Sequence, residues 1–96
     1  MAEVIWLPQA ENDLDEILRY LQQKWGERVL EEFIVKLERI IKLICEQPTM
    51  FRHSFKMNIH QVLVTKHNLL FYRIKENNIE ILTLFDTRRD PTTKPF

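Results

Sequence analysis

Three short apolar segments, Val62-Leu63-Val64-Thr65, Leu69-Leu70-Phe71-Tyr72-Arg73-Ile74 and Ile79-Glu80-Ile81-Leu82-Thr83-Leu84-Phe85, follow one another with only Lys66-His67-Asn68 and Lys75-Glu76-Asn77-Asn78 between them. Their β-branched and aromatic content predicts strands, and the Asn-containing breaks predict turns. Breaks this short exclude parallel pairing, which needs a crossover of about a dozen residues. The segment is therefore expected to be an antiparallel meander, opened by Ile59 and leaving the sheet through Asp86-Thr87-Arg88-Arg89-Asp90-Pro91. Strict alternation along the last strand places Ile79, Ile81, Thr83 and Phe85 on one face and Leu82, Leu84 and Asp86 on the other. Both faces are largely apolar, as in an inner strand covered on each side. Arg88 and Arg89 then stand where a rigid scaffold can hold cations in a fixed pose.

The rest of the chain supplies the cover. Glu3-Val4-Ile5-Trp6-Leu7 reads as a short first strand ended by Pro8. A helix follows, with Glu11 and Asp13 near its positive end and an apolar stripe of Ala10, Leu14, Ile17, Leu18, Leu21 and Trp25. Trp25 is expected in the core. Gly26, the single glycine, breaks this helix, and a second runs from about Glu27 to Glu46 until Gln47-Pro48 ends it. A break this short makes the two helices an antiparallel hairpin. The second helix carries one stripe of Leu30, Phe33, Leu37, Ile40, Ile41 and Ile44. Val29, Ile34, Val35, Leu43 and Cys45 broaden its apolar surface, so more than one side is expected to be covered. Exposed i,i+4 pairs such as Glu32 with Lys36 are expected on its polar side. Residues 49–58 have no period and read as a connection, and residues 92–96 as a tail. The order gives an α+β fold: a short N-terminal strand and a helical hairpin packed on one face of a three- to four-stranded antiparallel sheet.

Composition excludes several classes of function. Ninety-six residues make one domain with a modest core. No apolar run approaches the roughly 18–20 residues of a membrane span, and the start lacks the pattern of a signal peptide, so a cytoplasmic home is expected. One cysteine forms no internal disulfide, and Cys45 is expected as a buried, inert thiol. No paired Cys/His spacing suits a metal, and one glycine allows no phosphate-cradling loop. Net charge is zero but divided, since residues 1–51 carry −4 and residues 52–96 carry +4, with His53, His60 and His67 all in the basic half. An acidic helical layer against a basic sheet layer suggests that the sheet meets something anionic.

Laid out in this way, nearly the whole chain resembles the RelE/ParE family of bacterial toxins from type II toxin–antitoxin modules. The likeness rests on Leu7-Pro8-Gln9-Ala10 followed by Asp13-Leu14-Asp15-Glu16-Ile17-Leu18-Arg19-Tyr20, and on the helix end from Leu43 to Pro48. It continues through the strand Leu70-Phe71-Tyr72-Arg73-Ile74, and through Ile79-Glu80-Ile81-Leu82 leading to Asp86-Thr87-Arg88-Arg89-Asp90-Pro91. The resemblance implies a toxin that needs no cofactor or metal and is neutralised by a cognate antitoxin, a small DNA-binding protein. Its target would be DNA gyrase or messenger RNA on the ribosome.

In the RNA-cleaving branch, basic side chains stabilise phosphate charge and help activate a ribose hydroxyl. Arg88 falls close to that branch's phosphate-holding arginine, and His60 near a lysine position where a histidine can act as acid or base. Val62 and Leu69 stand where further basic residues would be, which favours gyrase. His60 also stands where many gyrase-type relatives carry arginine. Arg89, Lys66, His67 and Arg73 are expected to contact the target, and Leu30, Phe33, Ile34 and Leu37 the antitoxin. A degenerate member that only binds its antitoxin is the third reading. Each residue also has a purely structural role open to it: Arg88 and Arg89 pairing with Asp86 and Asp90 in a turn, His60 as an ordinary strand residue, Lys66 and His67 as a solvated tip, and Tyr72 as a core ring with its hydroxyl bonded.

Overall fold

The expected meander forms, as β3 (Ile59–Thr65), β4 (Asn68–Lys75) and β5 (Asn78–Asp86), in a computed structural model that describes residues 3–54, 57–88, 92 and 95–96. Two-residue turns join the strands. Glu76 and Asn77 both take positive φ, 51° and 69°, the mirror-type turn whose twist suits a hairpin. β1 (Val4–Trp6) and β2 (Arg52–Ser54) complete a five-stranded sheet in the order β1-β5-β4-β3-β2. The sheet thus exceeds the three or four antiparallel strands expected. β1 lies parallel to β5, with Val4 opposite Ile79 and Trp6 opposite Ile81. Nearly the whole chain separates the two, so no local signal announces the pairing. β2 falls in the stretch read as a connection, because three residues are too few to show alternation.

α1 (Pro8–Lys24) and α2 (Glu27–Glu46) cover one face of the sheet, α1 against β5 and α2 against β3. Pro8 starts α1, whose Leu7 cap has no side-chain partner, and the Leu7 N–H is satisfied by the Ile81 carbonyl at 3.0 Å. Ala10 is fully buried, so α1 makes its closest approach there on a small side chain. Between the helices Gly26 has φ +87° and ψ −178°, a region open to glycine alone. Trp25 does not enter the core, since it caps the end of α1 and remains 64% exposed. Cys45 is a half-buried free thiol, and its neighbour Ile44 takes the fully buried position.

The alternation expected along β5 is broken once. Phe71 opposes Thr83 but Tyr72 opposes Ile81, which leaves Leu82 as an extra residue, a β-bulge. One extra residue exchanges the faces of everything after it. Ile79, Ile81 and Leu84 therefore share the helix-covered core with Phe33, Leu37 and Tyr72. Phe85 joins Ile59, Phe71 and Leu82 on the opposite face. Phe96 packs on that second cluster, its ring 5.2 Å from that of Phe71.

Candidate functional site

Residues of α1, α2, the β3–β4 hairpin and the end of β5 line a cleft of about 560 Å³. Its helical wall carries Ile17, Tyr20 and Trp25 from α1, and Val29, Glu32 and Lys36 from α2. The opposite wall is Thr65, His67 and Asn68 from the β3–β4 hairpin, with Leu84, Asp86 and Arg88 from the strand exit. Because of the bulge, Asp86 follows Leu84 onto this side.

Arg88 is fixed at the mouth of the cleft. Its Nε donates to Asp86 Oδ1 at 3.0 Å and its Nη2 to Oδ2 at 2.9 Å, while its backbone N–H donates to the same carboxylate at 2.9 Å. These bonds, and then the Asp86 charge, hold the guanidinium above its ordinary pKa. Nearby, the Thr87 N–H donates to the His67 carbonyl at 3.0 Å and its hydroxyl to the Lys66 carbonyl at 2.8 Å. The strand exit and the hairpin tip therefore move as one piece. Arg88 remains about half exposed: Asp86 takes its Nε/Nη2 edge and Tyr20 a further side-chain bond, which leaves the rest of its N–H donors for a partner.

Asp13 secures the bulge from the helix side. Its Oδ2 accepts the Thr83 hydroxyl and, at 3.1 Å, the Leu84 N–H, while Gln9 Nε2 donates to Oδ1 at 2.8 Å.

His60 is placed elsewhere. It faces the helix-covered core, 4% exposed, and cannot meet a phosphate there. Its ring stacks between those of His53 and Tyr72, with centroids 4.3 Å and 4.9 Å away, across three adjacent strands. A carbonyl only accepts, so Nδ1–H donates to the Phe51 oxygen at 3.3 Å. Burial pushes the His60 pKa below 6.5, the Phe51 bond partly offsets this, and His53 lowers it a little further. Of the other expected cations that are described, His67 joins Arg88 at the cleft and Arg73 does not. Arg73 pairs with Glu80, Lys66 is an exposed tip residue, and His67 lines the cleft with its N–H donating to the Thr65 hydroxyl. Arg89, like Asp90, lies outside the described residues. Among the described residues no three His, Cys, Asp or Glu side chains are grouped to hold a metal ion, and no helix is long and apolar enough to cross a membrane.

A family model described as the ParE toxin of the type II toxin–antitoxin system, parDE, matches residues 4–91. The chain belongs to this family of toxins. The fold is shared more widely. The toxin is 18% identical to a chain of the chromosomal ParDE TA system from P. aeruginosa, with a TM-score of 0.73 over 90% of this chain and 96% of that one. The YoeB-YefM complex from Staphylococcus aureus gives 17% identity and a TM-score of 0.60, covering 88% and 95% of the two chains. YafQ from E. coli strain BL21(DE3) gives 10% and 0.59, covering 91% and 94%. No curated protein sequence matches.

Of the four residues expected to meet an antitoxin, Phe33 and Leu37 are buried against the toxin's own sheet, while Leu30 and Ile34 are half-buried beside an exposed Val35. Glu32 pairs with Arg28 at 3.5 Å rather than with Lys36. Sequence reasoning missed the cleft itself. Its signal was present in Tyr20, which lies one turn before the end of the apolar stripe, and in Trp25 at the helix end. Both aromatics are left exposed, and both line the cleft.

Proposed function

We propose that the toxin arrests growth by binding a protein target, DNA gyrase, through the Arg88 end of its cleft, and performs no chemistry of its own. The observation that carries this reading is that the expected catalytic pair is split: among the described residues, Arg88 and His67 line the cleft while His60 lies in the core. Cleaving RNA without a metal needs several basic groups aimed at one phosphate and one hydroxyl. Here His60 is buried, Arg73 is paired with Glu80, Val62 packs against the helical core and Leu69 lies in the apolar cluster of the opposite face. Arg88 is held by Asp86 at the cleft and stays about half exposed. A guanidinium already oriented by Asp86 suits a bidentate contact with an acidic or phosphate group on a partner. Antitoxin binding fits the same cleft: a mixed wall of Tyr20, Trp25 and Val29 with Glu16 and Glu32 matches an amphipathic segment carrying basic residues. Both partners would be met in the cytoplasm.

The deciding experiment expresses Arg88→Lys and Arg88→Ala without antitoxin, with thermal melts alongside. Growth arrest should be lost in both while the fold, read from the melts, persists. Lysine fails because it cannot reproduce the planar fork. Full arrest in both variants would remove Arg88 from the site. In cells making the unaltered toxin, gyrase-linked DNA breaks are expected; cleaved messenger would replace this reading by the endoribonuclease one.

A further inference from the structure

We infer that Asp13 is the positioning residue of the Arg88 site, acting from α1 through the bulge of β5; the inference rests on the reading of Arg88 given above. β1 pairs with β5 only as far as Ile81, where the Leu7 N–H takes the Ile81 carbonyl. Past that point no strand among the described residues lies beside the outer edge of β5, and the Leu84 N–H faces the gap. A single carboxylate oxygen fills the gap, accepting both the Leu84 N–H and the Thr83 hydroxyl. These two residues directly follow the extra residue Leu82. Asp13 is therefore bonded to the segment in which the strand changes faces.

The change of face decides where Arg88 stands. With uninterrupted alternation from Ile81, residues 82, 84 and 86 would face away from the helices. Asp86 would then lie on the apolar Phe71–Phe85 face and carry Arg88 with it. With the bulge, Leu84 enters the helix-side core and Asp86 lines the cleft, where it grips Arg88. Asp13 also lines the cleft, but both of its carboxylate oxygens are taken up by Gln9, Thr83 and Leu84, so it acts on the site through the strand.

The test compares Asp13→Ala with Asp13→Asn, whose side-chain oxygen can still accept both bonds, and Thr83→Val with Thr83→Ser. Ile44→Val, a conservative core change in α2 that removes none of the Asp13 hydrogen bonds, serves as a variant that lowers stability alone. Amide exchange and chemical shifts are recorded by NMR, and growth arrest is scored without antitoxin. Asp13→Ala should speed exchange at Leu84 by roughly tenfold, the loss of one charge-assisted bond. It should also move the resonances of Asp86 and Arg88 and relieve growth arrest as fully as Arg88→Ala, with the double variant no milder than either. Asp13→Asn and Thr83→Ser should keep the native shifts and the arrest. The inference is overturned if the Asp86 and Arg88 resonances stay in place in Asp13→Ala, or if arrest follows melting temperature alone, as Ile44→Val calibrates it. Should Asp13→Ala fail to fold, Thr83→Val carries the same comparison. If Arg88→Ala still arrests growth, the functional reading of Arg88 falls, and the shifts alone decide what Asp13 holds in place.

Discussion

Protonating His60 places a charge in a site with almost no water, between two stacked rings and beneath the helical layer. Among the described residues, the groups that meet it are His53, Tyr72 and the Phe51 carbonyl, none of them anionic. Its folded pKa lies below the unfolded value of 6.5, so the folded state binds its proton less readily than the unfolded chain. The stability this contributes is complete above 6.5 and is lost as the pH falls from there towards the lower folded value. Melting temperature followed from about pH 8 to about pH 5 should therefore drop, and the slope should flatten in His60→Phe. Tyr72 behaves in the opposite sense. Its hydroxyl donates to the Pro48 carbonyl at 2.6 Å, and burial pushes its pKa from 10.0 to about 12. That contribution is complete below pH 10 and disappears as the pH climbs towards 12. Tyr72→Phe leaves the Pro48 carbonyl unpartnered and should cost about 1–3 kcal/mol in urea unfolding.

At the level of elements, the helical hairpin depends on one backbone conformation. A Cβ placed on Gly26 would meet nothing within 4 Å, so space is not the constraint. The φ of +87° with extended ψ is, and Gly26→Ala should destabilise the toxin by about 1–3 kcal/mol, measured by denaturant unfolding. The two strand turns show how differently local sequence can specify a bend. Asn77 suits its left-handed position, whereas Glu76 adopts the same region because the flanking strands require it. β5 carries the element-scale lesson. Its composition announces a strand plainly, and nothing in it announces the extra residue at Leu82.

For the whole molecule, the acidic helical layer and the basic sheet half meet at the cleft, so the partner surface has mixed charge. Trp25, 64% exposed, contributes little to folding, and Trp25→Ala should change stability by no more than about 0.5 kcal/mol. Calorimetry with the cognate antitoxin should nonetheless show affinity falling roughly tenfold or more, as for a buried aromatic anchor. Glu32→Lys should also weaken binding, more at low salt than at high, while Glu31→Lys should not, because Glu32 lines the cleft and Glu31 does not.

What the sequence determined by itself is what rests on local periodicity and chain length. Breaks of a few residues force β3, β4 and β5 into a meander, the 3.6-residue stripes force two amphipathic helices, and Gly26 forces them to turn back. Motif order along the chain was enough to place it among type II toxins. Tertiary structure decided the rest. The partner of β1 arrives more than seventy residues later, so the parallel edge left no nearby trace. His60 fits a strand on either face, and only the register with Tyr72 puts it inside. Arg88 was visible as a cation after the last strand, but its direction was not. That direction depends on one uncounted residue at Leu82 and on a carboxylate from the opposite end of the chain, a contact that no window of sequence contains.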